Sequence, residues 1–181
     1  MLDGRLAGDV ALAGVRVDDD HRLAGVEDAG EAIAAAIDRA IAATCAEAVG
    51  CMQVLLDDTV AYAKTRVQFD RPIAANQVLR HRMVDMAIHL EEARAMAWRA
   101  ALHADAAPGL RRREVSGARL KVARAARFVG ENAVQLHGAM GVTEELNVGA
   151  YVKRLMAIER TFGTTAEHQD RVAAMRAAGA A

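Results

Sequence analysis

At 181 residues the chain has the length of one domain, and 53% hydrophobic residues provide enough apolar surface for a sizeable core. Only 3% are aromatic and two are proline, so Ala, Leu, Val, Ile and Met must build that core and long unbroken helices are allowed. A formal net charge of −1 gives no electrostatic footprint for nucleic acid or an anionic membrane. No initial run reads as a signal peptide, and no stretch reads as long and apolar enough for a bilayer, so a cytoplasmic protein is expected. Cys45 and Cys51 share one expected helix at a spacing poor for a disulfide or a metal site. They read as small buried residues of a reduced protein, with no metal expected.

In chain order, Val10, Leu12, Val15 and Val17 suggest two short strands broken at Gly14 and ended by Asp18–Asp20. A lone strand pair needs something to pack on, so this reads as the tail of a sheet. From about Glu27 the period turns helical: Ile33, Ile37, Ile41, Cys45, Val49, Met52 and Leu56 recur every three or four residues, and the run stops near Arg66, ahead of Pro72. A second helix is expected from about Ala75 to Asp105, with Val78, Leu79, Met83, Met86, Ile88, Leu90 and Met96 as its stripe. Met83, Met86 and Met96 read as gap-filling core rather than a cofactor-facing row. After Pro108–Gly109 a third helix runs from about Arg112 to Leu136 and stops at Gly138. Arg111–Arg112–Arg113 reads as its solvated start; basic residues there oppose the helix dipole, so an anion or a partner is the alternative. Shorter helices are expected over Glu144–Arg154 and Thr164–Ala177. The fold class is therefore all-α: an up-down four-helix bundle with extra short helices, preceded by a short β-strand pair.

Three segments carry chemistry. Arg66-Val-Gln68-Phe69-Asp70-Arg71-Pro72-Ile73, followed by Gln77, ends the first long helix. Gln135-Leu-His-Gly138-Ala139-Met-Gly141 ends the third. Phe162-Gly163-Thr164 precedes the last. Together they resemble the acyl-CoA dehydrogenase family, whose first motif is Arg-x-Gln-Phe-Gly-x-Pro-Ile. The resemblance implies residues 1–25 as the remnant of a middle β-domain and 26–181 as the C-terminal four-helix-bundle domain. It also implies FAD as cofactor. Arg66 would engage the pyrophosphate, since a guanidinium is permanently charged and can bind phosphate oxygens bidentately. Gln68 and Phe69 would line the adenosine side, with Gln77 nearby. Gln135 and Gly138 would approach the same cofactor, Thr164 the flavin or its phosphates, and Gly163 the acyl-CoA substrate. Taken singly, Arg66 could as well cap a helix and Gln135 be an ordinary polar residue before a C-cap glycine.

The family's reaction removes an α-proton from an acyl thioester with a carboxylate while a hydride leaves the β-carbon, and the base must reach that proton. Where most members carry the base this chain has Phe162. At the alternative position on the first helix, near Ala40, there is no acid either. Asp38 and Glu47 flank that position on other helix faces, and Glu159 and Glu167 read as solvated acids, Glu167 more than a turn into the last helix. Asp70 and Ala139 stand where the family has glycines, Asp70 close to the expected phosphate. The family's N-terminal helical domain and most of its β-domain are absent, implying either a piece of a longer protein or a shortened partner. The resemblance then implies a non-catalytic or half-site subunit that lends FAD contacts to itself or to a full-length acyl-CoA dehydrogenase subunit. The alternatives are a dehydrogenase with an unrecognised base, or a helical oligomerisation module that binds no flavin.

Overall fold

The computed structural model describes residues 1–21 and 29–179. Among the described residues there are five α-helices: α1 Ala29–Thr65, α2 Gln77–Leu102, α3 Pro108–His137, α4 Val148–Arg160 and α5 Thr165–Gly179. The first three form an antiparallel up-down-up layer in which every pair touches; α4 closes the bundle against α1 and α3, and α5 lies on α3. Cys45, Met52, Leu55, Met86, Leu90, Val115, Val122 and Val129 are almost fully buried at the shared axis. The helix spacing of three and four residues puts them on one face of each helix. Met83 and Met86 are core and Met96 packs against it, as expected for flexible fillers. Cys45 and Cys51 are free and buried, and burial pushes the Cys45 thiol up to about 11.

The stripe is displaced at the bundle's rim. Ile33, Val78 and Ile88 are exposed, and Leu55 rather than Leu56 is the deeply buried leucine of α1. The helix ends also shift: α3 begins at Pro108, which supplies its first residue at no hydrogen-bond cost, and α4 begins at Val148 rather than Glu144.

No strand forms over residues 9–17, contrary to the sequence reading. Val10, Leu12, Val15 and Val17 are 85, 80, 63 and 70% exposed, without a sheet or core to pair with. Among the described residues the strand pair is instead β1 (Val67–Gln68) and β2 (Arg71–Pro72), a hairpin between α1 and α2. The expected division between residues 25 and 26 lies outside the described residues. The bilayer reading is also corrected. By length and composition α1 is apolar enough to cross a membrane, but Ile41, Cys45, Met52 and Leu55 pack it against its neighbours, as in the core helix of a bundle.

Arg111 is not a solvated helix start. It is buried, donating from Nε to Asp38 Oδ2 at 3.0 Å and pairing with Glu31, which Arg112 also meets. Asp38 is fully buried and accepts from Arg171 Nη2 at 2.7 Å on its other oxygen. Basic residues at the start of α3 thus find carboxylates of α1, which offset the unfavourable dipole.

Candidate functional site

The sequence around Arg66 must reverse direction within a few residues, and it does so through a two-residue hairpin loop. Gln68 pairs with Arg71, so Phe69 and Asp70 form the turn, with φ of +52° and +61°. Two central residues with positive φ make a primed turn, whose twist matches the strands it joins. Ile73 N–H donates to Arg66 O at 2.9 Å and extends the pairing. Arg71 donates to Asn76 Oδ1 at 3.0 Å and Asn76 Nδ2 to Ile73 O at 3.1 Å, fixing the short helical turn that leads into α2. Asn76, at the N-cap of α2, makes no side-chain capping bond to that helix.

Three helix ends meet beside this hairpin and enclose a cleft of about 590 Å³. The end of α1 contributes Tyr62 and Arg66. The hairpin contributes Gln68 and Phe69, the start of α2 Val78, Leu79 and Arg82, and the end of α3 Gln135, His137 and Gly138. Tyr62 and His137 face each other at 4.5 Å between ring centroids, and His137 Nδ1 lies 2.8 Å from Ala133 O. Among the described residues no aspartate or glutamate lines the cleft, whereas two guanidiniums do. Asp70 is at the tip of the turn and is not part of the lining. Phe69 is 92% exposed, which leaves its ring open to a ligand or a second chain.

Gly138 ends α3 with φ 61° and ψ −138°, a conformation closed to residues with a Cβ. A Cβ there would meet nothing within 4 Å, so the requirement is conformational and not one of crowding. Gly141 is the tighter case: an added Cβ would lie 2.7 Å from the backbone oxygen of Val134.

Five of the residues singled out in the sequence, Arg66, Gln68, Phe69, Gln135 and Gly138, thus share one cleft. Gln77 does not line it; its Nε2 lies 3.4 Å from His81 Nε2 on an exposed part of α2. Phe162, Gly163 and Thr164 lie apart, at the start of α5. There Thr164 N–H and Oγ1 donate to Glu167 Oε2 at 2.7 and 2.9 Å, and Glu167 N–H returns a bond to Thr164 Oγ1 at 3.3 Å. This reciprocal cap places Glu167 in the first turn, not beyond it, and those bonds hold its carboxyl below the usual range. Sequence reading missed Tyr62, Arg82 and His137; the only signal was their helical spacing from Arg66, Val78 and Leu79, and Ala133.

None of the flanking acids is a free base. Asp38 is held between Arg111 and Arg171. Glu47 accepts from Arg154 Nε and Nη2 at 2.7 and 2.6 Å, which lowers its pKa despite partial burial. Glu159 lies 3.4 Å from both Arg127 Nη2 and Thr165 Oγ1.

The loop at Phe162 is held from below by buried polar groups. Arg119, 1% exposed, donates from Nη2 to the carbonyls of Ile158 and Thr161, the latter at 3.3 Å. His168 lies 3.1 Å from Phe162 O through Nε2 and 3.4 Å from Ser116 Oγ through Nδ1. Burial lowers the pKa of His168, and the nearby Arg119 and Arg171 lower it further.

A family model described as acyl-CoA dehydrogenase, C-terminal domain, matches residues 30–177. The acyl-CoA dehydrogenase IpdE2 of Mycolicibacterium smegmatis is 33% identical over 170 residues, covering 94% of this chain and 49% of the relative. The human mitochondrial short-chain specific acyl-CoA dehydrogenase is 33% identical over 66% of this chain and 29% of its own length. Among solved structures, the ChsE4–ChsE5 complex from Mycobacterium tuberculosis superposes with a TM-score of 0.72 at 27% identity, over 78% of this chain and 38% of that one. Butyryl-CoA dehydrogenase from Megasphaera elsdenii gives 0.73 at 26%, over 80% and 38%. The chain spans about half the length of the first of these relatives and less of the others. It belongs to the acyl-CoA dehydrogenase family, through that family's C-terminal helical domain.

Proposed function

We propose that this chain is the FAD-contacting part of an acyl-CoA dehydrogenase-type flavoprotein and acts as a non-catalytic half-site, completed by a second copy or a full-length dehydrogenase subunit. The observation that carries the reading is the cleft: permanent cations, amides and aromatic faces converge, and among the described residues no carboxylate lines it. Its contents fit an adenine dinucleotide. Arg66 would engage phosphate oxygens, Gln135 would hydrogen-bond beside it, and Phe69 and Tyr62 would offer ring faces to the base. FAD, when bound, supplies the acceptor for the hydride lost from an acyl-CoA. Gln77 and Thr164 are weaker cofactor contacts, because their side chains already meet His81 and Glu167. Gly163, beside the open end of α5, is assigned to the acyl-CoA substrate.

The non-catalytic part rests on Phe162, which cannot take a proton, and on the engagement of every neighbouring acid by arginine, threonine or a helix start. The ChsE4–ChsE5 complex, a relative by structure, supports assembly from two kinds of chain. The division at residues 25 and 26 is kept as part of this proposal.

Gel filtration after incubation with FAD, read by visible absorbance, tests the reading with the chain alone and mixed with a full-length acyl-CoA dehydrogenase subunit. Flavin co-eluting with the chain or the mixture, and lost on Arg66→Ala, is expected. Retention that survives Arg66→Ala overturns the placement of the cofactor at Arg66, and no flavin in either sample overturns the reading and leaves the oligomerisation module. In a flavin-loaded assembly, Phe162→Glu is expected to create or raise dehydrogenase turnover; unchanged turnover would mean that Phe162 does not occupy the base position.

A further inference from the structure

Val78, Leu79 and Arg82 sit one helical turn apart on α2, and all three line the cleft, although the side chain of Gln77 faces elsewhere. Arg82 on α2 and Arg66 at the end of α1 thus line one cleft from two different helices. Neither guanidinium has a hydrogen bond or ion pair among the described residues, whereas Arg71, at the outer edge of the same hairpin, is engaged by Asn76. Two cations that line one cleft, with no carboxylate beside them among the described residues, repel one another unless an anion is shared between them.

We infer that Arg82 is a second anion-binding arm, and that with Arg66 it forms a two-guanidinium seat for the diphosphate of an adenosine 5′-diphosphate moiety. This rests on the proposed cofactor reading and adds a residue to it. One monoanionic phosphate balances the charge of one arginine, while a diphosphate carries a charge for each of the two guanidiniums. The aromatic faces of Tyr62 and Phe69 lie in the same cleft for the adenine ring. FAD and coenzyme A both carry this diphosphate, so the chemistry is shared by two sources.

Binding of ADP, adenosine, FAD and coenzyme A to the full chain is measured by calorimetry at low and moderate salt. ADP is expected to bind far better than adenosine, with affinity that falls as salt rises. Arg82→Ala is expected to weaken ADP binding about tenfold or more, Arg82→Lys less, and Arg82→Glu to abolish it. Circular dichroism melts verify that the variants fold, which the exposure of Arg82 favours. Loss in Arg66→Ala with no change in Arg82→Ala overturns this inference and leaves the cofactor reading standing. Adenosine binding as well as ADP overturns the diphosphate seat. No ADP binding by the unmodified chain overturns this inference, while the cofactor reading falls only if flavin is also absent from the mixture with a full-length subunit. Tighter binding of FAD than of coenzyme A assigns the seat to the cofactor, and the reverse order assigns it to the substrate.

Discussion

Phe69, Asp70 and Phe162 hold left-handed backbone angles without being glycine, a conformation in which a Cβ crowds the following carbonyl. Asp70→Gly should relieve this at the hairpin and raise stability by about 1 kcal/mol, seen as a higher midpoint in urea. Gly141→Ala should do the reverse. Its Cβ would meet backbone rather than a movable side chain, so a loss of about 1–3 kcal/mol is expected, read as a drop in melting temperature. His168 gives a pH-dependent case. Its pKa is depressed in the folded state, so the unfolded chain binds the extra proton first, and the stability it supports is present above about 6.5 and lost as pH falls below that. Melting temperature should therefore fall from pH 7 to pH 5 more steeply in the unmodified chain than in His168→Gln.

At the scale of elements, α5 has little apolar surface of its own and is fixed largely by polar attachments: Arg171 on Asp38, and His168 beneath the Phe162 loop. Asp38→Ala leaves the buried Arg111 with Glu31 as its remaining carboxylate and releases Arg171, and the expected cost is about 1–3 kcal/mol. Hydrogen exchange should then accelerate first in α5. The helices themselves were legible in the sequence because three- and four-residue spacing survives whatever the partners are. Their charged contacts were not. Arg111 looks like surface until Asp38, 73 residues away, is brought beside it, and Arg119 gave no sign that it would be buried. The valines of residues 9–17 fit a strand or an open extended chain equally well, and only a pairing partner decides between them.

For the whole molecule, the first residues are tied to the bundle by charge. Asp3 accepts from Arg154 Nη1 at 2.7 Å while the same guanidinium grips Glu47, which also meets Arg5 at 3.2 Å. Asp3→Ala should free this segment, seen as faster tryptic cleavage at Arg5 and Arg16 with little change in the melting of the bundle. Val78, Val84, Ile88, Trp98 and Leu102 are exposed along α2, an apolar surface that fits the proposed assembly with a second chain. The motifs made Arg66, Gln68, Phe69, Gln135 and Gly138 legible as a group. Tyr62, Arg82 and His137 needed the crossing of three helices, which no local pattern encodes.

The length of α1 has a mechanical consequence. Arg66 follows its end, about 42 Å beyond the buried Asp38 on an unbroken rod of 37 residues. A tilt of one degree about the Asp38 anchor would swing the guanidinium by about 0.7 Å, enough to matter where aim is set to within an ångström. Any tilt set at the ion cluster is thereby amplified at the cleft end of the helix. Substitutions at Arg111 or Arg171, which touch nothing in the cleft, should misalign it.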